Sequence, residues 1–153
     1  MPPEQFLTER MLGRLARWLR LLGLDAPLID RPPAKIPPGA VLLTRRRALA
    51  GRPGVIVMGA DRVEEQLAQV MRELRLQPDR ARLLSRCLDC NLPVHHISRE
   101  EAAGLVADHT LNTAFSFTRC RRCGKVYWPG SHGQRARVLL EEILANIPAT
   151  GFD

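Results

Sequence analysis

At 153 residues, 45% hydrophobic, 25% charged and 5% aromatic, the chain has the composition of a globular protein and not of a disordered or collagen-like one. No run is apolar and long enough to span a membrane, and Met1-Pro2-Pro3-Glu4-Gln5 offers neither a basic n-region nor an apolar core, so a cytoplasmic location is expected. The net charge of +7 rests almost wholly on arginine, since Lys35 and Lys125 are the only lysines; a polyanion such as RNA is the expected partner, with compositional bias or heat adaptation as the alternative.

Gln5-Phe6-Leu7-Thr8 reads as a first strand that Glu9 ends. A helix follows, on whose wheel Met11, Leu12, Leu15, Trp18, Leu19 and Leu22 share one arc of about 120°, opposite Arg10, Arg17 and Arg20 with Arg14 at the edge. No acidic residue neutralises that basic face, which is either solvated or open to an anion. Gly23 suits the helix C-cap. Residues 24–30 form a short strand with an edge proline, and the four prolines of residues 31–39 make a loop. Ala40 to Thr44 and Gly54 to Gly59 are continuous apolar runs of the kind found in buried parallel strands, with a short helix over residues 45–50 capped by Thr44. Asp61 and Glu64 have capping-box spacing ahead of an amphipathic helix that runs to about Arg75 and is closed by Pro78. This alternation predicts, over residues 1–80, a three-layer α/β unit with a mainly parallel sheet and right-handed crossovers.

Residues 81–132 hold every cysteine, in two hooks, Cys87-Leu88-Asp89-Cys90 and Cys120-Arg121-Arg122-Cys123, with 29 residues between them. Two Cys-x-x-Cys hooks supply the four thiolates of a tetrahedral structural zinc site, which leaves no open position for water. Asn91 and Gly124 follow the hooks and readily take positive φ, as knuckle turns require. Disulfides, unrelated core thiols and a redox pair are the competing readings, disfavoured by a reducing compartment and by the presence of two hooks. Residues 94–97 and 114–118 are predicted ribbon strands, with a short helix near residues 100–106 between them and a strand and turn over 125–130. Ser131 caps a closing helix over residues 134–146, within 133–153, whose Leu139, Leu140 and Ile143, with Ile147 just beyond, are expected to pack back on the α/β unit. His95 and His96 alternate faces, so at most one approaches the metal. Tyr127, Trp128 and His132 either stack bases and contact phosphate or cover the thin ribbon core.

The runs Phe6 to Arg20, Leu43 to Arg47, Ser85 to Asn91 and Cys120 to His132 together resemble the Mut-seven C-terminal RNase-domain family. The resemblance implies a PIN-like ribonuclease fold with an appended zinc ribbon, in which carboxylates at the carboxyl ends of parallel strands bind Mg²⁺ or Mn²⁺ and activate water. It assigns catalytic roles to Glu9, Asp25 and Asp30, with Asp61 as either a further carboxylate or a helix cap. Glu9 stands where the family pattern has Asp, and Arg46 stands where it has another Asp. Metal-dependent RNA hydrolysis, RNA or ribosome binding by a catalytically lapsed member, and a protein-interaction adaptor are the three readings. RNA contacts fall to Arg10, Arg14, Arg17, Arg45, Arg46, Lys125, Tyr127, Trp128 and His132, and no small-molecule cofactor is expected.

Overall fold

The computed structural model describes residues 2–129 together with Val138, Glu141, Glu142 and Ala145. Those last four are helical, while His132, Ser131 and the remaining positions of the expected closing helix lie outside the described residues. Strands β1 (Gln5–Glu9), β2 (Leu28–Ile29), β3 (Ala40–Thr44) and β4 (Val55–Val57) form one sheet in the order β2-β1-β3-β4. Every pairing is parallel, as the apolar runs predict. The chain leaves β1 toward β2 on one side and returns to β3 on the other, so the topological switch lies between the carboxyl ends of β1 and β3.

Helices α1 (Gly13–Leu21) and α2 (Val63–Glu73) pack side by side on one sheet face. Alternation along the strands explains which residues they cover: Phe6, Val41, Leu43 and Ile56 meet Leu15, Leu19, Leu67, Val70 and Met71. Each such aliphatic side chain contributes about 1.5–3 kcal/mol by leaving water. On the opposite face, Leu42 and Val55 line one groove with Pro32, Pro33, Ile36, Leu49 and Pro53. The third layer is thus proline-rich coil and a single 3-10 turn, Arg47–Leu49, because proline removes the N–H groups a helix would need.

The start of the first helix differs from the wheel. Residues Arg10–Leu12 form a 3-10 turn, whose tighter winding rotates Met11 out of the apolar arc, leaving it 81% exposed. Asp61 does not cap α2; Arg62 occupies the N-cap position and Asp61 pairs instead with Arg45 at 2.7 Å. A capping box does form at Ser98 and Glu101, opening α3 (Arg99–Ala102). A further helix, α4 (Asp108–Thr113), has no counterpart in the sequence prediction.

Strands β5 (His95–Ile97), β6 (Phe117–Arg119) and β7 (Val126–Tyr127) make a separate antiparallel sheet in that order. This ribbon rests on the outer side of α1, where Trp18 and Leu21 pack against Cys87, Leu88, Cys120 and Tyr127. α1 therefore has two buried faces. Its C-terminus closes in a Schellman arrangement, with Leu24 N–H donating to the Leu19 carbonyl at 3.0 Å and Gly23 N–H to Arg20 at 2.9 Å. Gly23 has φ of 82° and faces the Arg82 carbonyl, into which any Cβ would collide. Gly23→Ala is accordingly expected to cost roughly 3 kcal/mol, through combined φ strain and backbone clash, measured by denaturant unfolding at unchanged m-value.

Candidate metal centre and carboxyl-edge site

The four cysteine sulfurs lie within 4.8 Å of one another, and Cys87 Sγ is 3.7 Å from Cys123 Sγ. Metal–sulfur bonds of about 2.3 Å in a tetrahedron require sulfur separations of about 3.8 Å, so the residues fit a zinc ion. The knuckles have the predicted form. Asn91 and Gly124 have φ of 61° and 78°, Asn91 N–H reaches the Cys87 carbonyl at 2.9 Å and Gly124 N–H that of Cys120 at 3.0 Å. Backbone N–H groups of Cys90 and Lys125 point to Cys87 and Cys123 sulfurs at 3.4 and 3.5 Å. Such N–H groups neutralise thiolate charge and orient the ligands.

Tyr127 is 1% exposed, so it does not stack a base; its position beneath the knuckles corrects that expectation. Its hydroxyl lies 3.2 Å from Cys87 Sγ and accepts the Leu88 N–H at 3.1 Å. Burial opposes ionisation of Cys87, but the Tyr127 hydroxyl and the N–H groups of Cys90 and Asp89 outweigh it and bring the thiol down to about 7. Partial burial and the neighbouring Cys123, Cys120 and Cys87 sulfurs push Cys90 up to about 12. Burial and the same contact with Cys87 raise Tyr127, which keeps its proton as a donor. Trp128 is half-buried against Phe117 and Val126 and helps to cover the ribbon core. His95 and His96 do not join the cysteine group.

The first knuckle is tied to the α/β unit by polar contacts of Arg20, Arg17 and Asn91. Arg20, placed on the solvated face by the helical wheel, is 6% exposed: its Nε donates to the Ala26 carbonyl at 3.0 Å and its Nη1 to Leu88 at 2.6 Å. Arg17 Nη1 meets Asp89 Oδ1 at 2.5 Å, and Lys125 Nζ meets the other oxygen at 3.5 Å. The Arg17 hydrogen bond, then the Lys125 charge, hold the Asp89 carboxyl below its ordinary range despite partial burial. Asn91 Nδ2 donates to Asp25 Oδ1 at 2.6 Å, while its Oδ1 accepts the Ala26 N–H at 2.9 Å.

That last contact locates Asp25. It bridges to Gln5 at the amino end of β1, whereas Glu9 pairs with Ile29 at the carboxyl end, about 13 Å of strand away. The structure does not bring Asp25 to Glu9; Asp25 is a partner of the knuckle. Asp30 follows Ile29 and does share the carboxyl edge, where Arg10 Nε holds it at 2.7 Å. Asp61 follows β4 on the same edge, with Arg45.

Glu9 is 6% exposed at the switch point. Thr44, whose Oγ1 also takes the Arg46 N–H at 3.0 Å, donates its hydroxyl to Glu9 Oε1. Arg46 Nε lies 3.2 and 3.1 Å from the two Glu9 oxygens. Each carboxylate of the edge thus faces an arginine. Among the described residues, the cysteines are the only group of three or more His, Cys, Asp or Glu side chains whose ligand atoms converge. The carboxyl edge does not fit Mg²⁺ or Mn²⁺, which needs several hard oxygens at one point without a competing cation. Thr44 was missed as a Glu9 partner because its hydrogen bond joins residues 35 positions apart.

A parallel α/β sheet with a buried glutamate at its switch point, docked on a four-cysteine metal module, defines the class of this protein. The Mut7-C RNAse domain family matches residues 4–140, and the chain belongs to that family, which is of ribonuclease type. No curated protein and no solved structure matches the chain. Among the described residues no helix is long and apolar enough to cross a membrane.

Removing the Tyr127 hydroxyl tests the cysteine centre. Tyr127→Phe is expected to weaken zinc binding about tenfold at pH 7, read by chelator competition. Without that donor Cys87 keeps its proton to higher pH, so the ion must displace it; the deficit shrinks as pH rises into the ordinary thiol range, above about 8.5.

Proposed function

We propose that this chain is an RNA-binding member of the ribonuclease-domain family whose hydrolytic centre is closed by arginine. The observation that carries the reading is the Arg46 guanidinium, which lies on both oxygens of Glu9 at the switch point of the sheet. A guanidinium there supplies positive charge but no ligand, and it cannot lower the pKa of a bound water as a divalent metal does. The net charge of +7 and the exposed Arg14 of α1 support a phosphate-backbone partner, together with family membership.

In this reading zinc is structural and belongs to a module within residues 81–132, whose first knuckle braces α1 of the α/β unit within residues 1–80. A reducing compartment such as the cytoplasm keeps the four thiols available for it. Glu9, on the family's carboxylate position, is what remains of the centre.

Cleavage of a single-stranded RNA in Mn²⁺ tests this. The parent is expected to cut no faster than a Glu9→Gln control, while Arg46→Asp, which returns a carboxylate beside Glu9, is expected to gain Mn²⁺-dependent cleavage. Mn²⁺-dependent cutting by the parent that disappears in Glu9→Gln would refute the closed-centre reading.

A further inference from the structure

At the carboxyl edge, two arginines use one nitrogen each to hold a carboxylate and leave the rest of the fork outward. Arg46 is fixed at both ends: its N–H is bound by Thr44 Oγ1 and its Nε by Glu9. Its side chain is nonetheless 57% exposed, and no acceptor among the described residues takes its Nη groups. Arg10, which directly follows Glu9, likewise gives Nε to Asp30 and keeps both Nη groups unengaged among the described residues. Because strand pairing sets Glu9 beside Ile29, the Arg46–Glu9 and Arg10–Asp30 pairs lie at the same end of neighbouring strands.

This edge carries Arg10, Arg14, Arg45, Arg46 and Arg47 against Glu9, Asp30 and Asp61. Positive charge is in excess even after every ion pair has formed. Arg14 and Arg47 are exposed, and neither has a carboxylate partner among the described residues. The uncapped start of α1, with no acidic residue in its first turn, adds to the same potential.

We infer that this edge is a phosphodiester-binding subsite in which the Arg46 guanidinium, held by buried Glu9, takes the place of a divalent cation. The inference rests on the RNA-binding reading above and deepens it by naming the site and its ligand chemistry. A guanidinium fork matches the two non-bridging oxygens of a phosphodiester. Holding Nε on Glu9 orients that fork before RNA arrives, so little side-chain freedom is left to lose on binding. Glu9 here is a positioning residue: it touches Arg46 and not the phosphate. Arg10 supplies the neighbouring contact.

Binding of a fluorescent single-stranded oligouridylate to the full zinc-loaded chain tests the subsite, over a salt series and with or without Mg²⁺. Arg46→Gln and Arg10→Gln are each expected to weaken binding by about tenfold and to lower the salt slope by about one; Arg46→Lys, which keeps the charge but loses the fork, is expected to fall between. Added Mg²⁺ should act on the parent no more strongly than its ionic strength requires. Unchanged affinity in all three variants overturns the subsite while leaving RNA binding intact, and Mg²⁺-strengthened binding by the parent overturns the cation replacement. No binding by the parent overturns the underlying reading instead. Zinc content and circular dichroism establish that each variant is folded; should Arg46→Gln unfold because Glu9 loses its partner, Arg10→Gln and Arg46→Lys decide the matter.

Discussion

The docking of the first cysteine knuckle on α1 is the interaction on which the rest of the structure depends. Arg20 makes it by donating to carbonyls of both the α/β unit and the knuckle, at Ala26 and Leu88, from a position largely withdrawn from water. Burial lowers the Arg20 pKa, with the Arg17 charge adding to the effect, and carbonyl partners satisfy the donors such burial would otherwise strand. Asn91 completes the joint from the other side, through Asp25 and Ala26. A four-thiolate site closes a small ribbon whose own core is little more than Ala102, Phe117 and Val126. Metal binding is folding free energy for such a module, and through Arg20 and Asn91 it also constrains α1.

α1 carries that constraint to the other end of the molecule. Its amino end starts at the carboxyl edge of β1, beside Glu9, and its carboxyl end lies under the knuckle. The two ends use arginine differently. Near the knuckle, guanidinium groups satisfy carbonyls and Asp89, so they serve packing. At the sheet edge Arg10 and Arg46 face carboxylates through Nε alone, which neutralises the acids while leaving donors outward. This division explains how one basic helix can be both an interior brace and part of a charged surface.

Much of this architecture was legible in the sequence where the signal is local or strictly spaced. Apolar runs gave the parallel strands, and hook spacing with Asn91 and Gly124 gave the knuckles, because positive φ and tetrahedral ligation leave few alternatives. The helical wheel failed at Arg20 and Met11 for one reason: it assumes a regular helix with solvent on one side, whereas α1 is covered on two faces and opens in a 3-10 turn. Asp25 shows the limit of motif reasoning. A carboxylate after a first helix fits a metal cluster by pattern, but register sets it at the far end of β1, and its partner Asn91 is 66 positions away. Nothing in local periodicity reports a pairing of that range; Tyr127 beneath Cys87 is a similar case, 40 positions apart.

Amide hydrogen exchange on the full chain, with zinc bound and after its removal under reducing conditions, tests the coupling between knuckle and helix most directly. Docking through Arg20 and Asn91 predicts that zinc removal lowers protection at residues 87–91 and 120–127 and also at Ala26 and residues 17–24, with β3 and β4 little changed. Loss confined to the ribbon, with Ala26 and the carboxyl half of α1 as protected as before, would contradict it.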